Sequence, residues 1–267
     1  MSRLSEELHI FFSAVLFYTR IPVPAWVIHT DAYLSHNPRY FPLIGWIVGS
    51  LAASVYWLAG QLFSPPVAVV LSMLTSVWVT GAFHEDGLAD TCDGFGGGWS
   101  QDRVLAIMKD SRLGTYGVIG LSLVLLLKFT ALVSLPAQLV PAVLIAGHAV
   151  SRFGAVSLRL SLSYVRENED SKAKPIGKAP LAPSHAGLAA VFGLLPLFAL
   201  LDIRYGLALI PLLLVRWYLS RYFFKRIGGF TGDCLGAAQQ VLEVVFYLSV
   251  LGLPGSQPGS AAFTAGA

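Results

Sequence analysis

Asp86, Asp90 and Asp93 stand at i, i+4 and i+7 within GAFHEDGLADTCDGFGGG, residues 81–98. On a helix, at about 100° per residue, the three carboxylates fall within about 60° of one another. Like charges at this spacing weaken a helix, so something must compensate, and a divalent cation is the simplest candidate. Carboxylate oxygens are hard ligands suited to Mg²⁺. That ion keeps positions for water and for substrate phosphates, so a carboxylate face beside basic residues points to phosphate-ester or diphosphate chemistry. The plain alternative is a solvated charged face where a helix leaves a membrane. Three aspartates on one face favour the site, with Gly87 and Ala89 lining it and Gly94, Gly96, Gly97 and Gly98 following. Small residues let a substrate or a second helix come close.

Further candidates lie at a distance along the chain. IMKDSRLGTYG, 107–117, offers Asp110 as a fourth ligand or a general base, and Lys109 and Arg112 as partners for phosphate oxygens. An ordinary charged juncture before a membrane span reads the same way. His84 is placed to bond a carboxylate, or is an interface histidine with no role. Arg152, close to His148, falls in an apolar run where polar groups are costly and often functional, and is expected to face the site. Lys128 and Arg216 also lie in apolar runs, where long basic side chains snorkel and need no other role. Glu243 sits in the last apolar run with no part assigned. In YVRENEDSKAKPIGKAPLAPSH, 164–185, Lys172, Lys174 and Lys178 with Gly177 suggest a flexible phosphate-gripping loop, or equally a basic cytoplasmic loop. GGFTGDCLGA, 228–237, puts Asp233 in a glycine-rich turn opening the last helix. Helix starts attract anions and favour Asp, and a simple N-cap at Thr231 or Asp233 is the alternative.

The elements that position these residues are membrane helices. Of 267 residues 55% are hydrophobic and 12% charged, with mean hydropathy +0.66; soluble domains carry about 25% charge. Spans need about 20 apolar residues, and seven runs qualify: 43–63, 66–83, 118–135, 137–158, 186–202, 205–223 and 235–253. The expected fold is all-α: a polytopic membrane domain over 1–253 with about seven transmembrane helices. Leu8–Thr19 reads as an N-terminal interfacial helix rather than a signal peptide. The tail 254–267 reads as disordered. A helix running unbroken from Val67 to Asp93 would be about 40 Å long and would lift the carboxylates just past a hydrocarbon core of about 30 Å. With a cytoplasmic N-terminus, nearly all basic loop residues fall in 84–117, 159–185 and 224–234, whereas the opposite turns offer only Arg204. That asymmetry places the acidic cluster in the cytoplasm. Cys92 and Cys234 form no CxxC, so neither a disulfide framework nor a zinc site is expected.

FHEDGLADTCDG, IMKDSRLGTYG, RIPVP at 20–24, YFPLIG at 40–45 and GGFTGDCLGA together resemble the cobalamin synthase family, in the expected order along nearly the whole chain. The resemblance implies joining adenosylcobinamide-GDP to α-ribazole, or its 5′-phosphate, with release of GMP. It also implies Mg²⁺ dependence and residence in a bacterial inner membrane. On this reading Asp86, Asp90 and Asp93 hold Mg²⁺ on the diphosphate, and Asp110 or one of the three takes the proton of a ribose hydroxyl. Lys109, Arg112, Lys174 and Lys178 steady phosphate charge, and Arg152 and Asp233 complete the site. Position 85 takes an acidic or an apolar residue in the family, so Glu85 is not assigned as a ligand. The partners are these small molecules and the lipid bilayer, with no nucleic acid; a homo-oligomer stays open. Two rivals remain. Asp90-Thr-Cys-Asp93-Gly94 resembles the opening of the CDP-alcohol phosphotransferase motif. A cation transporter would also use carboxylates, but near the bilayer midplane and within inverted repeats.

Overall fold

The computed structural model describes residues 3–28, 30–166 and 181–254. Lys172, Lys174, Lys178 and the tail beyond Pro254 lie outside the described residues. The helices in chain order are α1 (Arg3–Tyr18), α2 (Asp31–His36), α3 (Phe41–Ala59), α4 (Pro65–Thr80), α5 (Phe83–Gly97), α6 (Gln101–Ile107), α7 (Thr115–Ser134), α8 (Val140–Ser157), α9 (Pro183–Leu194), α10 (Leu209–Ile227) and α11 (Gly232–Leu251). Short 3₁₀ turns join α2 to α3, follow α8 and α9, and lead into α10. Among the described residues there is no strand, and one isolated bridge pairs Tyr164 with Phe230.

Six helical stretches are long and apolar enough to cross a membrane: Asp31–Ala59, Thr115–Ser134, Val140–Leu160, Pro183–Leu200, Ile203–Ile227 and Gly232–Leu251. They overlap six of the runs read from the sequence, and the protein is a multi-pass α-helical membrane protein. The seventh run corresponds to α4. The 16 residues of α1 reach about 24 Å, short of a span.

One expectation is overturned. Val67 to Asp93 is not one helix: α4 and α5 meet at 87°. Gly81 (φ 67°) and Ala82 (φ 58°) both adopt left-handed backbone at the break. The Ala82 N–H turns back to the Val77 carbonyl at 2.9 Å, which closes α4 in the manner of a left-handed C-cap. Glycine takes the positive φ at 81 without strain, and a Cβ there would press on the Arg20 side chain. The carboxylates therefore do not ride a rod extended out of the membrane. They lie on a separate helix that turns out of the line of the apolar limb and packs against the spans Thr115–Ser134 and Gly232–Leu251.

Two helices form the interior. α8 and α11 are each 67% buried over their apolar windows, whereas α10 is 17% buried and presents its leucines and aromatics outward. α3 lies along α8, and α11 packs against α5, α7, α8 and α10. α5 is thus held against the central helix of the bundle, with its acidic residues at one end of it.

Candidate active site

Exposure along the acidic face of α5 falls in order: Asp86 is exposed, Asp90 half-buried and Asp93 buried. The reason is what each meets. Asp93 is turned into the start of α7, where Oδ2 accepts the Gly114 N–H at 2.7 Å and Oδ1 the Gly117 N–H at 2.8 Å. Both oxygens thus satisfy orphan amides of a helix N-terminus, which also favours the negative charge. The expected ligand trio of Asp86, Asp90 and Asp93 is split by this geometry. Asp93 anchors α7 to α5, while Asp86 and Asp90 face another carboxylate.

That carboxylate is Asp233, on the first turn of α11 behind the N-cap Thr231. α5 and α11 cross at a glycine contact: a Cβ on Gly87 would lie 3.0 Å from Asp233 Cα and carbonyl O, and one on Gly236 would lie 3.3 Å from the His84 carbonyl. The small residues flanking the acidic cluster therefore admit a second helix. Burial first, then the carboxylates of Asp233 and Asp86, push the Asp90 carboxyl up to about 7 against the pull of Arg166. Three carboxylates from two helices thus come near one another at this crossing, with Arg166 beside them.

Arg166 is the cation the sequence reading did not single out. Its Nη2 donates to Asp233 Oδ2 at 2.6 Å and to the Met108 carbonyl at 3.2 Å. It arrives there because the Phe230 N–H bonds Ser163 O at 2.9 Å and the Val165 N–H bonds Phe230 O at 3.1 Å. This bridge pins the polar segment after α8 to the turn before α11. Arg226 closes the other end of α5, donating to the Phe95 and Gly98 carbonyls at 2.6 and 2.7 Å. The three segments 84–117, 159–166 and 224–234 consequently meet at one end of the bundle.

The remaining candidates divide. Asp110 and Arg112 grip each other, with Nη2 to Oδ2 at 2.6 Å, on the surface of the loop between α6 and α7. Hydrogen bonds from the Arg112 side chain and backbone hold the Asp110 carboxyl down at about 2, so Asp110 is a poor proton acceptor and the Arg112 fork is already occupied. Lys109 is exposed beside Met108 on the same loop. Arg152 does not open on the cleft as expected. It is 1% exposed, inside the bundle, with Nη1 3.0 Å from the His148 carbonyl and 3.0 Å from His148 Nδ1. Its position on α8 puts it behind α5 rather than in front of it. Lys128 does not snorkel: it is 2% exposed, with Nζ 2.5 Å from Glu243 Oε1.

Among the described residues no three His, Cys, Asp or Glu side chains are drawn together closely enough to enclose an ion. Mg²⁺ asks for less. One or two carboxylates suffice when waters and substrate phosphates fill the other positions. Hard oxygen donors and the raised Asp90 carboxyl fit a cation shared between Asp86, Asp90 and Asp233 on one side and an anionic substrate on the other.

A multi-pass helical protein that gathers carboxylates and an arginine at one end of its bundle fits a membrane-embedded enzyme acting on phosphate esters. Residues 10–251 match the family described as Cobalamin-5-phosphate synthase, and the chain belongs to that family. It is 48% identical over 250 residues to an adenosylcobinamide-GDP ribazoletransferase of Shewanella frigidimarina, covering 92% of this chain and 95% of the relative. Similar proteins of that name occur in Ralstonia pickettii, 45% identical with 94% and 98% covered, and Leptothrix cholodnii, 46% identical with 94% and 98% covered. No solved structure matches the chain.

Proposed function

We propose that the protein joins adenosylcobinamide-GDP to α-ribazole, or its 5′-phosphate, giving adenosylcobalamin, or its 5′-phosphate, and GMP. Similarity to the transferases over nearly the whole chain carries this reading, and the acidic cleft of Asp86, Asp90, Asp233 and Arg166 supports it. A ribose hydroxyl attacks the phosphorus next to the corrinoid side chain. The new P–O bond forms as the bond to the bridging oxygen breaks, and GMP leaves with that oxygen. Asp90, between Asp86 and Asp233, takes the hydroxyl proton in preference to Asp110, which is committed to Arg112 on the surface. Asp86 and Asp233 would hold Mg²⁺, which when bound neutralises diphosphate charge and polarises a phosphoryl oxygen. Arg166 holds Asp233 in place, and phosphate charge is met by Lys109 and, as the family resemblance implies, by Lys174 and Lys178, which lie outside the described residues. The enzyme works in the bacterial inner membrane with this end of the bundle in the cytoplasm, as its basic loops support.

The test is GMP release by purified, detergent-solubilised protein. Asp86→Asn is expected to lower Mg²⁺-dependent turnover by about 10²-fold or more. Normal Mg²⁺-dependent turnover in that variant would remove Asp86 from the cation's ligands. Release of CMP from a CDP-alcohol donor, with no GMP from the corrinoid donor, would favour the CDP-alcohol phosphotransferase reading instead.

A further inference from the structure

Behind the cleft, inside the bundle, lies a cluster of charges that the proposed reaction does not use. Glu243 of α11 is 0% exposed. Its Oε1 lies 2.5 Å from Lys128 Nζ of α7 and accepts the Tyr247 hydroxyl at 2.9 Å. Its Oε2 accepts Gln239 Nε2 at 2.5 Å and lies 3.3 Å from His148 Nδ1 of α8. Gln239 Nε2 also donates to Ser151 Oγ at 3.2 Å. Gln240 donates to Gln239 Oε1 at 3.0 Å and to Glu85 Oε1 of α5 at 2.9 Å. Through these bonds α5, α7 and α8 are each tied to α11.

Stability does not account for the cluster. Charge inside a bilayer is expensive, and a buried ion pair rarely outperforms apolar residues of the same volume. Here His84 Nε2, Glu85 Oε2, His148 Nε2, Arg152 Nε and Gln240 Oε1 are also buried with no hydrogen-bonding protein partner. What the ties do fix is rotation. Asp233, Gly236, Gln240 and Glu243 follow one another at i, i+3, i+7 and i+10, one stripe of α11 facing α5 and α7. On α5, Glu85 turned inward to Gln240 leaves its neighbour Asp86, about 100° round the helix, facing out into the cleft. Turning α11 by one residue would break every tie and carry Asp233 away from Asp90.

We infer that Glu243 and Lys128, with the Gln240–Glu85 bond, are positioning residues: they set the rotation of α11 against α5 and α7 and so hold Asp233 against Asp86 and Asp90. The inference rests on the transferase reading for its kinetic test alone. Two variants probe it. Lys128→Met with Glu243→Gln removes both charges at nearly constant volume, and Gln240→Leu cuts the tie to α5 without stranding a cation. Each is expected to lower kcat per folded molecule by about 10–100-fold with KM nearly unchanged, as loss of an orienting partner does. The exchange E85Q/Q240E, which re-forms the bond with donor and acceptor reversed, is expected to recover most of the Gln240→Leu loss. Juxtaposition is read without turnover by the rate of disulfide formation in D90C/D233C, with Cys92 and Cys234 replaced by Ser. That rate should fall about as far in both variants. Wild-type kcat and an unchanged cross-linking rate in folded Q240L or K128M/E243Q overturn the inference. Absence of GMP release from the wild type, with cross-linking still sensitive to the variants, overturns the transferase reading and leaves the positioning role standing.

Discussion

Asp90 is raised by its surroundings, and the sign of that shift makes a prediction. Its carboxyl is about 7 in the folded chain against an ordinary 3.8. A carboxyl raised on folding stabilises the metal-free protein fully below pH 3.8, and this contribution is lost as pH rises through 7. A divalent cation replaces the missing proton. The rise in melting temperature on adding Mg²⁺ should therefore be larger at pH 8 than at pH 6, and Asp90→Asn should flatten the difference. Equal rises at both pH values would remove Asp90 from the cation's surroundings. The cleft also ranks its members. Asp233→Asn should cost about 10²-fold or more in turnover, and Asp110→Asn about fivefold or less, since Asp110 is exposed and committed to Arg112. A steady-state comparison of the two purified variants decides it, and a larger loss from Asp110→Asn would reverse the ranking. The shared face of Asp86 and Asp90 was legible in the sequence, because helical spacing alone places it. Arg166, Lys128 and the diversion of Asp93 were not, because each depends on a partner at least 21 positions away that only the tertiary fold brings near.

At the scale of elements, α5 is held by Asp93 at the start of α7, by Arg226 at its own C-terminus, and by the glycine crossing and the Gln240–Glu85 bond with α11. Asp93→Ala would leave the buried Gly117 N–H and the half-buried Gly114 N–H without their acceptor. About 1–3 kcal/mol of stability should be lost per unsatisfied group, read as a lower melting temperature whether or not Mg²⁺ is present. A variant that loses activity with its melting temperature intact would instead return Asp93 to the chemistry. Gly87→Val tests the crossing. Its side chain meets the backbone of α11 at Asp233, so the helices must part, at a cost of about 1–3 kcal/mol and most of the turnover. The apolar runs announced the spans because length and composition suffice for that. The break between α4 and α5 was hidden, since it falls where the apolar run was already giving way to charge and carries no proline. Gly81 ends α4 by taking the left-handed backbone of a C-cap.

For the whole molecule, the charged segments gather at one end of a membrane bundle. The spans bury their polar groups against α8 and α11, while the segments rich in charge close over one end. That end holds Arg103, Lys109, Arg112, Arg166, Lys225 and Arg226. At the turn between the span Pro183–Leu200 and α10, Arg204 is paired with Asp202 at 2.5 Å, which leaves that side nearly neutral. The uneven spread of basic residues was legible, because it can be counted along the chain without any tertiary fold. How the acidic and basic loops interlock was not legible, since the bridge between Tyr164 and Phe230 joins segments far apart in sequence. Orientation can be read directly. With both native cysteines replaced by Ser, Ser111→Cys on the α6–α7 loop should react with a membrane-impermeant maleimide only in inverted vesicles. Leu201→Cys, between the spans Pro183–Leu200 and Ile203–Ile227 and 93% exposed, should react only in right-side-out cells. The reverse pattern would put the cleft outside, away from cytoplasmic nucleotides, and the transferase reading would fail with it.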